Sequence, residues 1–200
     1  MGVTEKTLEE QLIQMVRSSS DLMDLLDAAR RLELTSWCIG AGAVRSLVWD
    51  RLHGFTAPSQ YDDVDVVYYD AQSGPAQEVE LQRMLLELLP GIRWEVTNQA
   101  LIHHWFLTRH SQIVPQLRSL AEGVATWPEY ATCVGVRLNL DNSIDVIAPH
   151  GLEDLFQLRL RHNPARASSV VFNQRVASKR FIERWPMLSA CTERTAESSE

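Results

Sequence analysis

The residue pattern predicts an α+β (α/β) domain, a small mixed β-sheet flanked by helices. Three observations predict it. Short apolar runs of strand type stand at Trp37–Ile39, Val64–Tyr69, Ile92–Val96, Val134–Leu140 and Ile144–Ala148. Around them, apolar residues recur at helical spacing. The order is helix, helix, strand, helix, strand, helix, strand, then a hairpin and further helices, which packs helices onto one small sheet. A dinucleotide-binding doubly wound fold is excluded, because no GxGxxG opens the first helix and too few strand–helix units follow.

Each element has a local cause. Thr7 with Glu10 forms a capping-box pattern ahead of Leu8, Leu12, Met15 and Val16, which share one helical face. Ser20 is a second N-cap signal, before Leu22, Leu25, Leu26 and Ala29. Together they make a helical N-terminal segment over 4–33. Trp37–Ile39 is a brief strand ending at Gly40, and Val44, Leu47, Val48 and Leu52 mark the next helix. Val64–Tyr69 is a strand entered through an acidic pair. Gln77–Leu89 is a helix with Leu81, Leu85, Leu88 and Leu89 inward, stopped by Pro90-Gly91. Ile92–Val96 is the next strand. Over 100–130 the pattern predicts a mobile stretch, a helix near Ile113–Leu120 and a turn at Trp127-Pro128. Asp141-Asn142-Ser143 separates the last two strand runs as a hairpin turn. Gly151–Leu160 and Asn173–Trp185 read as helices, a helical C-terminal segment over 151–186. Thr192–Glu200 is polar and reads as a disordered tail. One domain over 1–191 follows, with no repeat and no low-complexity linker.

Composition bounds the function. The 200 residues carry 19 Lys+Arg against 26 Asp+Glu, a net charge of −7, and 45% are hydrophobic. That length can bury a sizeable core. A collagenous, wholly disordered or nucleic-acid-coating protein is excluded, and broad nucleic-acid binding is not expected. An acidic chain holds a polyanion only through a local basic patch or a metal. Cys38, Cys133 and Cys191 lie far apart without a CxxC pair, so neither a disulfide framework nor a zinc module is readable. The N-terminus has neither a basic region nor an apolar run of signal-peptide type, and no convincing myristoylation motif. No apolar stretch approaches the ~20 residues that span a bilayer. A reduced, cytoplasmic protein with no membrane partner is expected.

The chemistry is concentrated in two stretches. Gly40-Ala41-Gly42 ends a strand and turns directly into a helix. Unpaired N–H groups and the helix dipole favour an anion there, and small side chains let a phosphate approach. Tight strand–helix packing is the other reason for such glycines. Asp63 and Asp65, two residues apart on a strand, point to one face while Val64 and Val66 point to the other. Two carboxylates on one half-buried face repel, and a divalent cation compensates. Mg²⁺ suits oxygen donors and takes phosphates and waters as its remaining ligands. A solvated strand edge is the alternative. Asp62 is the flanking acid that points away. A phosphate-binding turn one strand before a metal-binding pair holds a nucleoside triphosphate, phosphates at the turn and metals at the carboxylates.

These stretches resemble the nucleotidyltransferase superfamily of DNA polymerase beta, whose signature is a small glycine turn followed by an acid–hydrophobic–acid strand. Ala41-Gly42-Ala43-Val44-Arg45 is similar to the GG-x-VR turn of CCA-adding enzymes, with alanine for the first glycine. GAGAVRSLVWDRLHG, DDVDVVYYD, WEVTNQA, WPEYATCVGVRL, APHGLEDLF and RVASKRFIERWP together resemble a family of bacterial predicted nucleotidyltransferases, over most of residues 20–190. The resemblance implies the nucleotidyltransferase fold and two-metal transfer of a nucleoside monophosphate from a triphosphate such as ATP, with pyrophosphate released. It implies Mg²⁺, two ions, with Mn²⁺ possible in its place, and an acceptor hydroxyl on a small molecule, an RNA or a protein. A third acid is implied on a neighbouring strand. Glu95, in Trp94-Glu95-Val96, fits the superfamily's topology better than Asp145, in Ile144-Asp145-Val146. Asp63, Asp65 and Glu95 are then the catalytic and metal-binding residues. Gly40, Ala41, Gly42 and Arg45 lie at the triphosphate, though Arg45 equally suits a partner carboxylate. Asn98 and Gln99 either read a base or ribose or form a turn. The family often carries Arg where this chain has Leu101; if that arginine binds phosphate, its loss weakens affinity or activity.

Other features carry less. His103-His104 lacks acids at ligand spacing and reads as structural. Asp63-Val64-Asp65 also fits a phosphatase nucleophile motif, but that motif needs an apolar strand before the first Asp, and Pro58-Ser59-Gln60-Tyr61 is not one. Residues 154–186 hold seven Lys/Arg against two acids, enough to reach a triphosphate or to form a solvated helix face. The six tryptophans read as packing. A rival to turnover is a catalytically silent nucleotide- or metal-binding protein that acts through partners.

Overall fold

The computed structural model describes residues 6–60, 62–110 and 112–191. The expected tail at 192–200 and the start of the N-terminal segment lie outside them. Helix α1 (Leu8–Arg17) has the full capping box: Thr7 accepts from the Glu10 N–H, and Glu10 reaches back to the Thr7 N–H. Helix α2 (Ser20–Arg30) is capped by Ser19, one residue before the serine read from the sequence. Strand β1 (Trp37–Gly40) runs into helix α3 (Ala41–Leu52) without a break, and β2 (Val64–Tyr68), helix α4 (Pro75–Leu88) and β3 (Trp94–Asn98) follow. After a helical cover come the hairpin strands β4 (Gly135–Leu138) and β5 (Ile144–Ile147).

The five strands form one mixed sheet in the order β3-β2-β1-β4-β5. Strands β2 and β3 are parallel, while β1 is antiparallel to both β2 and β4, and β4 to β5. Alternation gives the sheet two faces. Trp37, Ile39, Val64, Val66, Tyr68, Trp94 and Val96 belong to the main core beneath α1–α4. Cys38 and Val67 point to the other face, where Leu120, Val124 and Cys133 cover part of it. The rest of that second face stays open as a cleft.

Beyond residue 100 the hairpin of β4 and β5 stands as read, and the segments on either side of it depart from the sequence reading. Helix α5 (Ile102–His110) occupies the stretch read as mobile, and the helix expected near Ile113–Leu120 is absent; α6 (Leu120–Val124) only begins there, capped by Ser119. Pro115 explains this, since the residue before a proline is pushed out of helical conformation. Gly151–Leu160 contains only one helical turn, α7 (Glu153–Phe156). Leu158 then takes φ 56°, and β6 (Arg159–Arg161) pairs in parallel with β7 (Ser189–Cys191). The helix read at Asn173–Trp185 is two, α8 (Ser169–Ser178) and α9 (Phe181–Arg184), broken where Arg180 takes φ 52°. No helix among the described residues is long and apolar enough to cross a membrane.

Candidate functional site

The open cleft has a volume of about 860 Å³. One wall is the second face of β2 and β3. The pairing register puts Asp65 opposite Glu95, and Val67 opposite Thr97, on adjacent parallel strands. Asp63, Asp65 and Glu95 all line the cleft. Burial, with the Asp63 and Glu95 carboxylates beside it, pushes Asp65 up to about 7. Glu95 stands exposed at the mouth. Asp145 lies on β5, three strands from β2, in an ion pair with Arg137 that holds its carboxyl below the usual range.

The second wall element is the start of α3. Helices α1, α2, α6 and α8 each have a Thr or Ser side chain on their first-turn N–H groups, whereas α3 has no such cap. Ala41 and Gly42 line the cleft. Gly40 is required by packing: a Cβ there would lie 2.5 Å from the Trp127 ring. Ala41 takes φ 49°, left-handed, at a cost of roughly 1–2 kcal/mol for a residue with a Cβ.

Arg45 leaves the first turns of α3 and is 5% exposed. Its guanidinium lies 4.5 Å from the Phe181 ring centroid, 5.3 Å from Trp49 and 5.6 Å from Trp185. Its Nε has no hydrogen-bond partner. Burial lowers it to about 10, still cationic at neutral pH. Aromatic faces pack against this charge, and Glu129 and Asp65 favour it without a direct ion pair among the described residues.

Three carboxylates on one wall are hard oxygen donors of the type Mg²⁺ takes. Among the described residues no three Asp, Glu, His or Cys side chains are gathered into a group able to hold a metal ion by themselves. The acids line a wall instead of closing a cage, so a metal bound there would need further ligands.

A nucleotidyltransferase family model matches residues 27–190. The chain belongs to this nucleotidyltransferase family. A solved structure described as an NMR structure revealing a CCA-adding enzyme head domain aligns with TM-score 0.77 and 27% identity, over 95% of this chain and 98% of that one. A CCA-adding enzyme in complex with CTP and the Thermotoga maritima CCA-adding enzyme with tRNA both align at TM-score 0.54, with 15% and 14% identity. This chain spans less than half of each, 44% and 43%. No curated protein matches the sequence. The nucleotidyltransferase fold expected from the motifs is the one observed.

In this nucleotidyltransferase Asn98 does not reach the cleft. Strand β3 runs two residues further than the sequence reading, so Asn98 continues the face of Trp94 and Val96. Its Nδ2 donates to the Asp70 carbonyl at 2.7 Å and to Ser73 Oγ at 2.9 Å, and its Oδ1 accepts from the N–H groups of Asp70 and Ala100. It clips the β2–α4 loop to β3. Gln99, on the opposite face, lines the cleft and packs on Gly123, where a Cβ would lie 2.5 Å from its Oε1. Leu101 begins the turn into α5 and is half-buried. His103 and His104 stack at 4.0 Å on α5.

The far wall was not assigned from the sequence. Asp62, read from the sequence as pointing away, lines the cleft and pairs at 2.9 Å with Lys179 at the C-cap of α8, and Arg184 donates to the Gln60 carbonyl, which ties the C-terminal helices to the loop before β2. Asp50, 6% exposed on α3, accepts from Ser59 N–H at 2.6 Å, Ser59 Oγ at 2.7 Å and Trp185 Nε1 at 2.7 Å. Arg175 of α8 also lines the cleft and is held from behind by Glu129. The excess of basic residues after 154 was the available signal.

Proposed function

We propose that this protein transfers a nucleoside monophosphate from a triphosphate to an acceptor hydroxyl, with Mg²⁺ and with release of pyrophosphate. The observation that carries the reading is one cleft with carboxylates on Asp63, Asp65 and Glu95 along one wall and an uncapped helix start with a buried arginine beside them. Bound between these carboxylates and the triphosphate, Mg²⁺ (two ions, with Mn²⁺ as a substitute) supplies Lewis acidity that lowers the pKa of the acceptor hydroxyl and offsets charge on the phosphates.

The residues have separable tasks. Asp63, Asp65 and Glu95 hold the metal. The Ala41 N–H is taken by the Val134 carbonyl at 3.3 Å, so the uncapped N–H groups from Gly42 onward face the phosphates, and the dipole of α3 favours their charge. Arg45 adds a fixed cation that needs no reorganisation. Gln99 and Thr97 border the space beyond the acids. The acceptor oxygen bonds to the α-phosphorus as the bond to the bridging oxygen of pyrophosphate breaks. The hydroxyl proton passes to the Glu95 carboxylate and from there to water. The acceptor is a small molecule, an RNA or a protein. The CCA-adding enzymes it resembles are seen with CTP and with tRNA, which makes a nucleotide end one acceptor to include.

A single-turnover assay with the four labelled triphosphates and Mg²⁺, over pools of metabolites, RNA and protein, tests the reading. Glu95→Gln is expected to lower transfer at least about a hundredfold. Asp145→Asn is expected to leave it within about twofold, since an exposed ion pair contributes little. Metal-dependent triphosphate binding without any transfer would favour a silent binding protein. Loss of transfer in Asp145→Asn with Glu95→Gln active would overturn the site.

A further inference from the structure

Behind the cleft lies a second buried charge, to which the sequence reading gave no role. Glu129, between α6 and β4, is fully buried at 0% exposure. Its Oε2 accepts from Thr132 Oγ1 at 3.0 Å. Its Oε1 accepts from Arg175 Nε at 2.8 Å, and Oε2 also accepts from Arg175 Nη2 at 3.4 Å. This side-on grip fixes the plane of the guanidinium. It uses Nε and Nη2 and leaves Nη1 out of the grip, on a residue that lines the cleft with Asp63 and Asp65. A buried carboxylate with no outlet to solvent is costly unless paired, so Glu129 keeps Arg175 in one orientation.

Position selects the task. Arg45 comes to the cleft from the α3 side and Arg175 from the α8 side, and both lie within electrostatic reach of Asp65. Both guanidiniums line the same cleft as the acids and the start of α3, so a triphosphate bound there would have both within the same space. We propose that Arg175 contacts the β- and γ-phosphates and stabilises the charge that develops on the leaving pyrophosphate, and that Glu129 is its positioning residue. The inference rests on the nucleotidyl-transfer reading above. When the bond between the α-phosphorus and the bridging oxygen breaks, the electron pair leaves on pyrophosphate. A fixed guanidinium beside that oxygen lowers the barrier without moving. Arg175 therefore has no task toward a nucleoside monophosphate, which lacks the two outer phosphates.

That difference gives the test, and it needs no acceptor. Calorimetric titrations in excess Mg²⁺ compare ATP or CTP, inorganic pyrophosphate, and the matching monophosphate. Arg175→Gln is expected to weaken triphosphate and pyrophosphate at least about tenfold and the monophosphate less than twofold. That variant leaves Glu129 buried without its cation and can lose stability. The double variant Arg175→Gln/Glu129→Gln removes both charges, and the same selective loss is expected from it. Glu129→Gln alone keeps the shape of the side chain but loosens the grip. It is expected to weaken pyrophosphate several-fold while the monophosphate holds; a purely structural Glu129 would lower the melting temperature and shift both ligands alike. Equal loss of all three ligands, or no loss of pyrophosphate, in the double variant overturns the role of Arg175. If the wild type binds no triphosphate with Mg²⁺, the nucleotidyl-transfer reading itself fails, and this inference with it.

Discussion

At the scale of single residues, Asp65 is where burial and charge conflict most openly. Its neighbours Asp63 and Glu95 and its own burial push it up to about 7. The unfolded chain ionises the same carboxyl near 3.9. Between these values the native state keeps a proton that the unfolded state has released. Stability from this group is therefore full below about pH 4 and is lost as pH rises to about 7. Asp65→Asn holds the neutral form permanently. The metal-free variant is expected to gain in melting temperature over the wild type as pH rises from 5 to 8, while transfer is abolished. Paired thermal melts across that range check it; a variant that unfolds, or a difference flat with pH, would mean the acid is structural. Ala41 marks a second conflict. The departure from the GG-x-VR pattern, alanine in place of the first glycine, was visible in the sequence, and the structure puts that alanine at φ 49°. Gly42, which keeps its glycine, follows inside the helix.

At the scale of elements, legibility followed periodicity. The capping box of α1, the alternation in β2 and the stop at Pro90-Gly91 are local signals, and each element stands within a few residues of its reading. Asp65, the acid on β2, was legible for the same reason, because alternation alone assigns Asp65 and Val66 to opposite faces, while Asp63 stands just before the strand. Beyond residue 100 the causes are tertiary. Helix α5 covers a cleft and has no clean polar face, so its nine residues carry weak helical patterning. Strands β6 and β7 are three residues each and exist only because they pair across some thirty residues of chain. The end of β3 was legible but missed. Trp94, Val96 and Asn98 alternate, and the same period turns Gln99 toward the cleft and Asn98 away from it. Asn98→Ala strips partners from the N–H groups of Asp70 and Ala100 and from the Asp70 carbonyl. It is expected to cost about 2–4 kcal/mol of stability, summing modest losses at several buried groups, without changing the preference among triphosphates. Denaturant unfolding and competition among the four triphosphates would separate these; a change in base preference at intact stability would return Asn98 to the site.

At the scale of the whole molecule, the cleft lies on the second face of the sheet, which Leu120, Val124 and Cys133 cover only in part, and residues of the C-terminal segment such as Arg175 and Lys179 line its other side. Its described lining carries Arg45, Arg166, Arg175, Lys179 and Arg184 against Asp62, Asp63, Asp65 and Glu95. That balance is close to neutral. A triphosphate entering alone brings about four negative charges to a wall of carboxylates, and the arginines cannot offset all of them. Mg²⁺ entering alone meets carboxylates that, among the described residues, are not gathered into a group able to hold it by themselves. Each ligand supplies what the other lacks: the metal offsets the repulsion, and the phosphates complete its octahedron. Affinity for either must then rise in the presence of the other, by the same factor. A coupling of about 1–3 kcal/mol is the ordinary range for such linkage, and for a chain of this size each kcal/mol moves the melting temperature by about 2–4 °C. Melting with Mg²⁺ and ATP or CTP together is therefore expected to exceed the sum of the two separate shifts by at least about 2 °C. Asp65→Asn, which removes the charge that joins the two ligands, is expected to erase the excess. Strictly additive shifts in the wild type would mean that metal and triphosphate occupy separate places.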